Sequence, residues 1–153
     1  MKYSGTLIAV SDMDTSKEFY LHVLGLKVIG DFGANVMLEQ GIFLQTLDTW
    51  KDFIRKEHVV LSNNAYELYF EENDMDAFLE HLATCDISYI HEPLVHTWGQ
   101  RVVRFYDVDN HIIEVAEEIG MVVRRFIERG MTEEETAIRM EVPIEYIKKY
   151  LKK

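Results

Sequence analysis

The chain carries one short passage twice. Val10-Ser11-Asp12-Met13-Asp14 returns in outline as Glu72-Asn73-Asp74-Met75-Asp76, with the Asp-Met-Asp cores 62 positions apart. An apolar, strand-like run precedes each core, and a run with apolar residues at helical spacing follows it. Self-similarity at a long interval means one supersecondary unit used twice. In 153 residues, two such units are expected to share one fold and to leave a ligand site at their seam.

Each unit reads as βαβββ. In the first, Thr6 to Val10 predicts a strand. Ser11-Asp12 can cap a helix running to Leu24, with Phe19, Tyr20, Val23 and Leu24 on its core face, and Gly25 stops it. Short strands are expected over 27–29, 35–39 and 42–46, with Gly30, Gly33 and Gln40-Gly41 at the turns. The second unit predicts a strand over 66–70, a helix over 74–84, and strands over 87–90, 101–105 and 111–115, with a turn at 107–110. Between the units, residues 47 to 64 read as a helical turn plus loop. Residues 92 to 100 form a longer insert, in which His96 and Trp98 suggest a lid or pocket wall. The fold class is α+β: repeats over about 3–48 and 65–118, forming a curved, cup-like mixed sheet in a domain of residues 1–118.

Residues 119–153 differ in character. One helix is expected to end at Gly130. Thr132 and Glu135 then form a capping box, and Pro143 starts a last helix. The result is a helix-turn-helix-like appendage in which Ala137 and Ile138 lie inside and Ile144 and Ile147 pack back onto them. Residues 120–153 hold eight Lys and Arg against six Glu, a net of +2, which leaves −13 on residues 1–119 of a chain at −11. A body so acidic repels phosphate backbones, and the would-be reading helix opens Pro143-Ile144-Glu145 with no base-reading side chain. Nucleic acid is therefore not the expected partner, and the tail is expected to serve packing or dimer contact. No run approaches the roughly 18 apolar residues that cross a bilayer. The start shows no signal peptide, and Cys85 stands alone. A soluble cytoplasmic protein, forming a homodimer and away from membranes, is expected.

The passage from Val10 to Tyr20, the following Leu24-Gly25-Leu26, and the late Arg104-Phe105-Tyr106-Asp107-Val108-Asp109-Asn110-His111-Ile112-Ile113-Glu114 resemble the vicinal oxygen chelate superfamily. That superfamily holds glyoxalases, bleomycin- and fosfomycin-resistance proteins and extradiol dioxygenases. The resemblance covers roughly residues 3–118 and implies twin units wrapping a cup, with strand-borne metal ligands. Carried over position by position, the first ligand falls on Gly5 and is absent. The remaining places fall on Gln45, Glu67 and Glu114. A shift of 69 lays Ile42-Phe43-Leu44-Gln45 over His111-Ile112-Ile113-Glu114, so the repeats agree.

Two carboxylates and one amide oxygen suit a hard ion such as Mg, Mn or Ca, or Zn or Ni if His96 or His111 joins. A two-histidine, one-carboxylate oxygenase site cannot be assembled, which argues against ring-cleaving dioxygenase activity. A glyoxalase-type lyase or isomerase would use Glu114 and Glu67 as catalytic groups around one divalent ion. Two metal-free alternatives stand beside it. In one, Glu67 and Glu114 are ion-paired with Arg101 or Arg104. In the other they hold a cationic ligand, as in a non-catalytic bleomycin-resistance-type binding protein. A ligand sensor reporting through the tail is a further alternative. In each case His96, Trp98 and Arg101 are expected to line the pocket of a small-molecule ligand.

Overall fold

The computed structural model describes residues 1–152; Lys153, one of the tail's cations, lies outside them. The elements run β1 (Thr6–Val10), α1 (Met13–Leu24), β2 (Val28–Asp31), β3 (Asn35–Leu38), β4 (Ile42–Thr46), α2 (Leu47–Ile54) and β5 (Glu67–Glu72). They continue with α3 (Met75–Leu82), β6 (Ser88–Val95), β7 (Arg101–Tyr106), β8 (Ile112–Glu117), α4 (Ile119–Glu128), α5 (Glu133–Met140) and α6 (Ile144–Leu151). The strands form two four-stranded sheets, ordered β1-β4-β3-β2 and β5-β8-β7-β6. Each repeat thus builds its own sheet. The equivalent strands β1 and β5 hold the same place in two sheets rather than sharing one. The α+β class of twin βαβββ units is as expected.

Contacts divide the chain into two compact units. The first is Met1–Tyr66 together with Tyr106–Ile112, the tip of the β7–β8 hairpin; the second is Glu67–Phe105 together with the chain from Ile113 onward. In the first unit β1 pairs parallel with β4, from Thr6 opposite Ile42 to Val10 opposite Thr46, while β3 pairs antiparallel with both β2 and β4. Ile8, Val10, Tyr20, Val23, Val36, Leu38 and Leu44 are buried there. The Asp12 side chain accepts from the Thr15 N–H at 2.7 Å and so starts α1. Gly25, at φ +69°, ends it, with its N–H bonded to Leu21 O at 3.0 Å.

Three expectations are corrected. Residues 47–54 form a full helix, α2, rather than a single turn. The first part of the second repeat's insert is strand, because β6 runs to Val95. As the outermost strand of its sheet, β6 tolerates Pro93, which has no N–H to give a neighbour. What remains is a short hairpin turn rather than a lid, closed by His96 N to Gln100 O at 2.9 Å and Gly99 N to His96 O at 2.8 Å. Finally, Ile138 is 79% exposed. At about 100° per residue, the buried Thr136, Ala137 and Met140 of α5 share one arc, and Ile138 stands outside it.

The tail is otherwise as expected. Its capping box joins Thr132 and Glu135, and Pro143 occupies the N-cap of α6. Helices α4, α5 and α6 close over Val122, Val123, Phe126, Ala137, Met140 and Ile147. No helix among the described residues is long and apolar enough to cross a membrane. This packing predicts that Ile147→Ala costs about 2–5 kcal/mol in chemical denaturation. Ile138→Ala should fall within about 0.5 kcal/mol of the parent. Equal losses at the two positions would contradict the packing described.

Candidate functional site

The three family ligand positions all carry partners within their own units. Gln45, on β4 of the first unit, is 2% exposed. Its Oε1 accepts from Asn35 Nδ2 at 2.9 Å, and its Nε2 donates to the Thr49 hydroxyl. In the second unit, Glu67 on β5 and Glu114 on β8 share the guanidinium of Arg104 on β7. Arg104 Nε donates to Glu67 Oε2 at 2.9 Å, and Arg104 Nη2 pairs with Glu114 Oε2. Arg104 Nη1 also lies 3.4 Å from His91 Nε2. The Arg104 guanidinium thus bridges the two acids.

The missing first ligand has a steric cause. Gly5 lies at φ +154°, and a Cβ built there would stand 2.0 Å from Gly41 O and 2.6 Å from the Phe43 ring. No side chain fits at this position. Among the described residues, no group of three or more His, Cys, Asp and Glu is placed to hold a metal ion. Of the family's ligand positions, one admits no side chain, and both acids pair with Arg104.

The expected pocket residues lie in the second unit. His96 stacks on Trp98, with ring centroids 4.1 Å apart and planes 15° from parallel. Burial, followed by the charges of Arg104 and His91, holds its pKa below the ordinary histidine value. Trp98 Nε1 donates to Gln100 Oε1 at 3.0 Å, and its ring packs against the tail's core. Arg101 is tied to Asp76 at 2.5 Å and to the buried Glu117 at 3.3 Å.

A different cleft, of about 300 Å³, opens in the first unit beside β1. It is lined chiefly by Leu7, Trp50, Val59, Tyr66, Asn63 and His111. Since β1 is the outermost strand of its sheet, its free edge can face this space. The loop after α2 is held by Asn63 Nδ2 to Val60 O at 3.3 Å and by the Tyr106 hydroxyl donating to Asn64 Oδ1 at 3.0 Å. Most of the lining is apolar or aromatic. His111 is the buried exception, 3% exposed, with the Tyr66 ring tilted against it at 6.2 Å.

Asp107 fixes that imidazole. Its Oδ1 accepts from the backbone N–H groups of Asp109 at 2.9 Å and His111 at 2.8 Å. Its Oδ2 lies 2.8 Å from both the Tyr20 hydroxyl and His111 Nδ1. A carboxylate beside Nδ1 places the ring proton there and leaves Nε2 as an acceptor in the neutral form. Tyr20 remains a donor, because burial, followed by the charge of Asp107, raises its pKa well above the ordinary value. Burial, followed by the same charge, raises that of Tyr66. Sequence spacing marked His111 only as a spare metal ligand and Tyr20 only as core. Their shared bond to Asp107 joins residues 87 positions apart, and no local pattern announces it.

The crowding at Gly5 yields a direct test. Gly5→His restores the residue common in the family, yet it should lose more than about 1 kcal/mol of stability on denaturation without gaining affinity for Zn or Mn. A stable variant that binds either ion tightly would show that the position does admit a ligand.

The sequence profile of the Glyoxalase-like domain matches residues 3–120. Among solved structures, a protein of unknown function from Agrobacterium tumefaciens str. C58 is 37% identical. The match covers 77% of this chain and 94% of that one, with a TM-score of 0.71. A glyoxalase/bleomycin resistance protein/dioxygenase family enzyme from Burkholderia phytofirmans PsJN is 14% identical over 74% of this chain and 96% of that one, at a TM-score of 0.65. A lactoylglutathione lyase from Agrobacterium tumefaciens is 19% identical over 77% and 94%, at 0.61. At those identities the last two show likeness of fold. No curated protein matched the sequence. With the profile spanning most of its length and the twin βαβββ units in place, the chain belongs to the glyoxalase-like family of the vicinal oxygen chelate superfamily.

Proposed function

We propose that this protein binds a small, largely apolar organic molecule in the cleft of the first unit, without a resident metal, and that His111 is the polar group that meets it. One observation carries the reading: a buried imidazole, fixed through Nδ1 by Asp107, lines a cleft that is mostly apolar and aromatic. Binding sites of this size are mostly hydrophobic and take their specificity from a few fixed polar groups. A neutral ligand with one hydrogen-bond donor suits a wall that offers Nε2 as acceptor. The metal-free version is supported by the Arg104 ion pairs and by the closed position at Gly5.

The Asp107–His111 pair also favours a second reading, in which binding is followed by proton transfer. A lyase or isomerase needs a group that takes a proton from carbon and returns it elsewhere, and an oriented imidazole can do both. In that version Asp107 fixes the tautomer and stabilises the imidazolium once Nε2 has taken the proton. Glu67 and Glu114 are then structural partners of Arg104.

The neutral fluorophore N-phenyl-1-naphthylamine tests the binding reading on the full chain. It should bind saturably, change Trp50 fluorescence, and bind equally well with or without EDTA. Val60 lies on the cleft wall and is 70% exposed, so Val60→Arg leaves the core alone. This substitution should weaken binding by roughly tenfold, which is about 1.4 kcal/mol. Unsaturable binding, or binding that EDTA removes, would defeat the proposal.

A further inference from the structure

Positive charge is scarce in this chain, yet four arginines meet at one place in the second unit. Arg101, Arg125, Arg129 and Arg139 line an open cleft of about 430 Å³ together with Phe126 and Asp76. Three elements supply them: β7, the end of α4, and α5 of the tail.

Among the described residues, only two carboxylates answer these four charges. Asp76 accepts from Arg101 Nη1 at 2.5 Å. The buried Glu117 pairs with Arg101 Nη2 at 3.3 Å and with Arg125 Nη1. The other contacts are to backbone carbonyls, which leave the charge in place: Arg125 Nη2 donates to Gly99 O at 2.5 Å, and Arg139 Nη1 donates to Thr97 O. Arg129 is exposed, and its side chain has no ion pair or hydrogen bond among the described residues. Arg101 Nε is buried without an acceptor. The arrangement is held firmly at its centre. The Arg125 and Arg139 guanidiniums lie 6.0 and 5.8 Å from the Phe126 ring centroid. Gly99 lies so close to that ring that a Cβ there would stand 2.3 Å from it.

We propose that this cleft is a binding site for a small dianionic oxyanion, either a phosphate monoester or a dicarboxylate. The charge balance of four cations against two anions leaves room for two negative charges. Guanidinium forks match the oxygen geometry of both groups. The volume suits a small metabolite, and Phe126 offers an apolar surface for its carbon skeleton. Because α5 supplies Arg139, the tail would form part of the site. None of these residues lines the cleft of the first unit, so the two proposals stand or fall separately.

Isothermal titration of the full chain at neutral pH and low ionic strength, with inorganic phosphate and separately with succinate, tests the site. Low salt matters because exposed charges are screened. At least one of the two anions should saturate at one site per chain, and added salt should weaken its binding. The tighter of the two identifies the source of the dianion. Arg129→Gln should weaken binding by roughly tenfold, since it removes one charge-assisted contact from a residue that has no structural partner. Arg129→Gln with Arg139→Gln should lose binding while Val60→Arg keeps it. Saturation of neither anion would overturn the proposal. So would unchanged affinity in a double variant that still melts cooperatively.

Discussion

The first unit turns on one buried carboxylate. Asp107 is 5% exposed and receives hydrogen bonds from its own turn, from the His111 ring and from the Tyr20 hydroxyl of α1. A buried carboxylate without partners would cost several kcal/mol, whereas this one has four hydrogen-bond donors to satisfy its oxygens. Its neighbour Asp109 accepts from Ser11 N at 2.9 Å, just ahead of α1. The turn of the last hairpin is in this way part of the first unit's core. The imidazole that lines the cleft is set by the same atoms that seat Tyr20.

Charge is arranged differently in the second unit, where arginines take the structural role. Arg104 joins Glu67 and Glu114, and Glu117 joins Arg101 and Arg125. The acids at the family's metal positions are therefore balanced by a fixed cation of the protein itself. Gly5, pressed against Gly41, closes the remaining position. The two features support one reading: this chain keeps the family's scaffold while its acids serve ion pairs.

Much of the fold was legible because the signals are local. Asp12, Gly25, Thr132 and Glu135 act within a few residues of where they stand, and each does what its capping chemistry predicts. The doubled Asp-Met-Asp marked the start of the equivalent helices α1 and α3 for the same reason. Ile138 was misplaced because composition marks it as apolar, while the arc of α5 that meets α4 and α6 is fixed by packing. The length of β6 was missed because Pro93 signals a break unless the strand lies at a sheet edge, and edge position is a tertiary fact. The site was least legible. The pairing of acids with Arg104 stood among the open alternatives. The Tyr20–Asp107–His111 network and the meeting of four arginines depend on contacts between distant positions, and no spacing encodes them.

The most direct test of the account is the state of the His111 ring, read from a long-range proton–nitrogen NMR correlation spectrum and assigned with a His111→Gln variant. The account predicts a proton on Nδ1, shared with Asp107, and an Nε2 nitrogen shift that moves as N-phenyl-1-naphthylamine saturates the cleft. A ring protonated on Nε2 instead, or an Nε2 resonance unmoved by saturating probe, would contradict it.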